Sequence, residues 1–154
     1  MPATQVALGR TFVVTFNHGD DFFTELRTVC EDNNIRSAYI PMFIAGFSKA
    51  RIVGTCDELA DSAAPVWSAV YLTNLEALGG GTLAWDPESK AVAPHLHVTV
   101  GEKERSANGS TSHLLEAEVQ FLTEMIIQEI EAPAMHRVRQ SDLYDVPLLR
   151  LGSK

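Results

Sequence analysis

The chain has 154 residues, 45% of them hydrophobic and 21% charged, which is enough apolar material for a packed core and excludes a disordered or fibrous chain. Twelve Lys and Arg against twenty Asp and Glu leave a formal charge of −8, so the field of the whole molecule repels polyanions and disfavours nucleic acid as a direct partner. The basic residues are scattered in short pairs, Lys49/Arg51, Lys103/Arg105 and Arg137/Arg139, which read as solvated surface.

Thr11 to Phe16 is a run of β-branched and aromatic residues closed by Asn17-His18-Gly19, the composition of a strand and a turn. Asp20 or Asp21 then caps a helix in which Phe22, Phe23, Leu26, Val29 and Cys30 recur at three- and four-residue steps, ending near Asn33-Asn34. Arg36 to Phe47 is almost wholly apolar and reads as a strand with an irregularity at Pro41; Ala50 to Val53 reads as another short strand. Cys56 to Pro65 has loop composition, with room for one helical turn at Asp57 to Ala60, and Val66 to Leu78 resumes strand character.

Gly79-Gly80-Gly81 interrupts that run. It lacks the Lys-Ser/Thr of a phosphate loop and the spacing of a dinucleotide fingerprint, so it predicts a bulge or tight turn. Thr82-Leu83-Ala84-Trp85 and Ala91 to Val100 flank turn chemistry at Asp86 to Lys90 and predict a hairpin. In its second strand Leu96, Val98 and Val100 share one alternating face, and His95, His97 and Thr99 the other. Glu102 to Ser112 is a polar loop, including the Asn108-Gly109-Ser110 sequon. His113 to Ile130 satisfies a helical period through Val119, Leu122, Ile126 and Ile130 better than it satisfies alternation. Val146, Leu148, Leu149 and Leu151 predict a final short strand.

Cys30 and Cys56 carry no partner motif, the N-terminal residues show no basic stretch leading an apolar core, and no apolar run approaches the roughly 18 residues of a membrane span. These features predict a cytoplasmic protein with no membrane association.

The residues with the most chemistry are histidines. Two residues apart on a strand, His95 and His97 project from the same face about 6.5–7 Å apart. Their imidazoles can converge on one ion, and His113, returned by the polar loop, is the third candidate. Three protein ligands and one open position are the usual equipment of a catalytic zinc. Glu76 and Glu124 are candidates for acid–base work if desolvated. Ser112 beside His113 offers a weak nucleophile, and His18 and His136 read as surface residues.

The order of these motifs resembles the PPC family, the domain shared by plants and prokaryotes. Gly9-Arg10 leads a strand, His18-Gly19-Asp20-Asp21 opens a helix, and a strand ends at Ala45-Gly46-Phe47. Leu75-Glu76-Ala77-Leu78-Gly79-Gly80, Pro94-His95-Leu96-His97 and Ser112-His113-Leu114-Leu115-Glu116-Ala117 follow, so the resemblance covers about residues 9–131. It implies one compact domain over 1–154, of α+β (α/β) class with a mainly antiparallel sheet flanked by helices, and it favours a strand after His113. It also implies a homotrimer and a metal site at His95, His97 and His113, filled by zinc or another divalent transition metal.

Three functions are compatible with this reading: an oligomeric binding or interaction module with a three-histidine metal site, a metal-assisted enzyme using the open position, and a DNA-associated regulator like the AT-hook relatives in plants. The last is disfavoured by charge, because a trimer at −8 per chain would carry −24. No Arg-Gly-Arg-Pro arm is present.

Overall fold

The computed structural model describes residues 3–54, 69–105 and 108–152. Cys56, the helical turn expected at 57–60 and the start of the strand expected from Val66 lie outside the described residues. The elements run β1 (Ala7–Asn17), α1 (Phe22–Asp32), β2 (Ala38–Val53), β3 (Ala69–Asp86), β4 (Ala91–Glu102), β5 (Gly109–Ala132), β6 (Met135–Gln140), a short 3-10 turn at Ser141–Leu143, and β7 (Val146–Leu151).

The α+β expectation of a sheet flanked by helices is corrected. The described residues are overwhelmingly strand, with one α-helix, and the sheet closes on itself. Closure follows from β4, which pairs with β3 along its whole length and with β5 from His97 to Gly101, while β2 joins β3 and β5 on the opposite side. The ring β2–β3–β4–β5 is therefore a barrel, with β1 added to the outer edge of β5 and the β6–β7 hairpin added to β3. A closed ring satisfies backbone groups that extra helices would otherwise have to cover, and strand alternation supplies one inward and one outward face.

The inward face explains the core. Leu96, Val98 and Val100 of β4 are 1%, 0% and 1% exposed, and they meet Phe43, Phe47, Val119, Met125 and Ile127 from β2 and β5. Helix α1 lays Phe22, Leu26 and Cys30 against this cluster, with the Phe22 ring within 5.2–5.6 Å of Phe16, Phe43 and Phe47. The Asp21 side chain accepts a hydrogen bond from the Thr24 backbone N–H at 2.8 Å and so caps the helix; Asn33 and the left-handed Asn34 (φ 53°) end it.

Two local expectations change, and a third holds against the periodicity. Ala38 to Val53 is a single strand, and its register slips between Ile40 and Phe43, at the proline. Gly79-Gly80-Gly81 does not interrupt β3, which runs straight through it opposite that slip. After His113 the chain is strand, as the resemblance implied and against the helical period, and β5 carries a bulge that breaks its alternation. Gly46 pairs with Gln120 and Ala45 with Thr123, so Phe121 (φ 69°) and Leu122 are squeezed out to solvent. The residues buried here are Val119, Thr123, Met125 and Ile127; of the helical set Val119, Leu122, Ile126 and Ile130, only Val119 is buried. Strand β6 is an element the sequence reading did not contain. Among the described residues no helix is long and apolar enough to cross a membrane.

Candidate metal centre

Alternation puts His95 and His97 on the outer face of β4, because Leu96 between them is core. The closing seam of the barrel supplies the third histidine: His97 is the register partner of His113 on β5. Cross-strand partners in an antiparallel pair project on the same side, so the three rings share one patch of the outer wall. Their centroids are 5.2 Å (His95–His97), 5.0 Å (His95–His113) and 4.1 Å (His97–His113) apart.

The polypeptide is shaped to permit this. At Gly81, opposite Leu96, a Cβ would overlap the His95 carbonyl oxygen and come within 2.9 Å of the Leu96 Cα, so a residue without a side chain lets β3 close against the histidine strand. One alternation along the seam from His97 and His113, the register partners Thr99 and Thr111 join their hydroxyls at 2.8 Å.

His95 Nε2 and His113 Nδ1 face each other at 3.1 Å, and one ring nitrogen from each of the three histidines lies within 4.8 Å of the others. A tetrahedral zinc with ligands at about 2.0–2.1 Å holds their nitrogens about 3.3–3.4 Å apart, so the group has the size of a three-imidazole site. The edges of His95 and His97 reach solvent, but Nε2 of His95 is turned into the cluster. That partial burial, with smaller contributions from Arg137, His113 and His97, pushes the His95 imidazole down to about 4. Burial, then His97, also lowers the value of His113. Both are therefore neutral Lewis bases near pH 7, the form in which imidazole binds a metal.

The other candidates stand elsewhere. Glu76 pairs with Gly46 and Gly101, four residues along β3 from Gly80, the partner of His97, which places it about 13 Å from the cluster at the rise of a strand. Glu124 pairs with Ile44 and Thr15, on the far part of β5. Neither carboxylate joins the histidines. Ser112 is the register partner of the buried Val98 and is itself buried, so it faces away from His113 and forms no dyad with it. His18, read as a bare surface residue, accepts a hydrogen bond at Nδ1 from the Phe121 backbone N–H at 3.2 Å and so fixes the bulge of β5.

Arg137 was missed. It was read with Arg139 as solvated surface, and Arg139 does pair with Glu88 at 2.9 Å, half exposed. Arg137 is 4% exposed, and its Nη2 donates to Thr82 Oγ1 at 2.6 Å. Thr82 is the register partner of His95, so the guanidinium is built into the wall beside the cluster. No signal in the sequence distinguishes the two arginines, because the difference is made by the packing of β6 on β3.

A closed antiparallel barrel carrying an outward three-histidine patch on its closing seam defines the class of protein. The chain belongs to the Plants and Prokaryotes Conserved (PCC) domain family, whose model matches residues 3–131. Solved structures agree in fold. A plant- and prokaryote-conserved (PPC) protein of Pyrococcus horikoshii matches with a TM-score of 0.80 and 22% identity, over 97% of each chain. The metal-containing protein AF0104 of Archaeoglobus fulgidus matches at 0.79 and 20% identity, over 97% of this chain and 99% of that one. A protein of Ralstonia eutropha JMP134, described as a candidate DNA-binding protein, matches at 0.72 and 21%, over 92% and 90% of the two chains. Among curated proteins none matches this chain.

Proposed function

We propose that residues 1–154 form a single PPC-type binding module in which His95, His97 and His113 hold one divalent transition metal, zinc above all, with a position left open to solvent. The observation that carries this reading is the approach of His95 Nε2 to His113 Nδ1 at 3.1 Å across the closing seam. Two neutral imidazole nitrogens brought together at a partly desolvated place are costly unless a proton or a metal lies between them. The metal-containing Archaeoglobus relative, which shares this fold, is consistent with that assignment. When bound, such an ion acts as a Lewis acid on whatever occupies the open position. The histidines themselves orient it, and the threonine pair at Thr99 and Thr111 stands next to His97 and His113 along the seam.

Binding is favoured over catalysis by the placement of Glu76 and Glu124, since among the described residues no carboxylate stands within the cluster to move a proton. Metal analysis of purified protein with and without His97→Ala tests the reading. Stoichiometric metal in the wild type and its loss in the variant support it; negligible metal in both removes it.

Self-association into a homotrimer is part of the proposal. Met42, Ile44 and Leu78 are 42–56% exposed on the outer barrel wall, with Ile44 and Leu78 paired side by side. Apolar side chains gathered on an outer face are the mark of a contact surface. Sedimentation equilibrium decides it, and a concentration-independent monomer mass rejects it. A reducing, cytoplasmic setting suits the buried and unpaired Cys30.

Direct duplex binding ranks last. The net charge is −8, and Arg10, Lys49, Arg51 and Arg139 are each paired with a glutamate. Such a surface gains little from counterion release, and a gel shift persisting at moderate salt would overturn the ranking.

A further inference from the structure

Among the described residues, a cation is buried beside the histidine patch without an anion to balance it. Arg137 is 4% exposed and makes no ion pair among the described residues. Among the described residues its Nη2 donates to the neutral Thr82 hydroxyl, at 2.6 Å, and its Nε is enclosed with no hydrogen-bond partner. Burial opposes its charge, lowering its proton affinity. Arginine nonetheless stays protonated in proteins, so a full positive charge with an unanswered donor remains in the wall.

Its location gives that charge a use. Thr82 and His95 are register partners and project together, so the guanidinium held by Thr82 stands on the histidine side of β3. A buried polar group without a partner in a native structure commonly marks a missing ion, and a guanidinium fork matches the geometry of an oxyanion. Arg137 lies on β6, beyond residues 3–131 matched by the family model, so the family pattern does not itself supply this charge.

We propose that the ligand of the open metal position is a small oxyanion, a carboxylate or phosphate group, with Arg137 as its charge anchor. The inference rests on the metal reading above. The metal's remaining positive charge and the guanidinium act on the same ligand from two sides. A neutral molecule of the same shape would engage only the metal.

Cobalt-substituted protein, whose visible spectrum reports the ligands of the metal, provides the test. The wild type is titrated with acetate, with inorganic phosphate and with neutral acetamide. The expected result is a saturable spectral change with one or both anions, the stronger identifying carboxylate or phosphate as the chemistry, and a much weaker one with acetamide at equal concentration. Arg137→Gln is expected to bind cobalt as the wild type does but to weaken the anion by about tenfold or more, while Arg137→Lys retains most of the affinity. Should Arg137→Gln fail to fold, Arg137→Met, which keeps the apolar stem, replaces it. Cobalt bound by the wild type with a spectrum that no anion alters would overturn this inference alone, as would equal anion affinity in wild type and Arg137→Gln. Failure of the wild type to bind cobalt would overturn the metal reading and this inference with it.

Discussion

His95 Nε2 and His113 Nδ1 lie 3.1 Å apart although eighteen residues separate them in the chain. The contact is made by neither strand alone. It exists because β4 and β5 pair where the barrel closes, with His97 and His113 in register and His95 one alternation further along β4.

If that contact is one side of a metal site, each histidine is a ligand rather than a surface ring. His97→Ala and His113→Ala should each lower metal affinity by more than the roughly 10–100-fold that loss of an outer-shell partner causes. Elemental analysis after dialysis against a weak chelator reads the effect. Retention of metal by either variant would assign the ion elsewhere.

The histidines also set an acid limit on the metal-free protein. His95 takes up its proton at about 4 in the folded chain against 6.5 ordinarily, so between those values the unfolded chain binds more protons. Stability contributed by this group is complete above about 6.5, falls as the pH drops from there, and levels off below about 4. The lowered value of His113 acts in the same direction. Urea unfolding of apoprotein across this range should therefore show a shallower loss in His95→Asn than in the wild type; an equal loss would mean that His95 is not the group responsible.

Gly81 tests whether strand approach at the seam matters. In Gly81→Ala the new methyl would press on the His95 carbonyl and the Leu96 Cα, and overpacking of this kind costs about 1–3 kcal/mol. The shift falls on the histidine strand, so metal affinity should drop together with the thermal midpoint. A variant with wild-type stability and affinity would show that β3 and β4 can move apart freely.

Helix α1, by contrast, contributes to the barrel without touching the site. Phe22→Ala removes a fully buried ring that meets four other phenylalanines and should cost about 3–5 kcal/mol. Asp21→Ala removes only the cap on Thr24 and should cost about 1 kcal/mol. Denaturant titration separates the two, and comparable losses would mean that the helix is held by its cap rather than its core face.

Local features of this chain were legible as sequence. Asp21 as cap, the Phe22/Leu26/Cys30 face of α1, the Asp86–Lys90 turn and the alternation of Leu96, Val98 and Val100 against His95, His97 and Thr99 all depend on neighbours within a few residues. Periodicity and turn chemistry report such short-range relations directly. The sequence also singled out the three histidines, His113 as the one that the polar loop could return to the strand, a place the resemblance supported.

What only the tertiary structure decided lies in relations between distant strands. Closure of the sheet, which replaces flanking helices, is a matter of β4 pairing on both edges. The strand character of β5 came from the resemblance and was hidden from periodicity, because the bulge at Phe121 and Leu122 breaks its alternation, and a bulge is placed by its partner Gly46 on β2, some seventy-five residues earlier. Arg137 and Arg139 are chemically identical in the sequence; packing of β6 over Thr82 buries one and leaves the other beside Glu88. Alternation along a strand is written in adjacent residues, whereas the burial of a charge depends on which strand arrives beside it, and that depends on the register of the whole barrel.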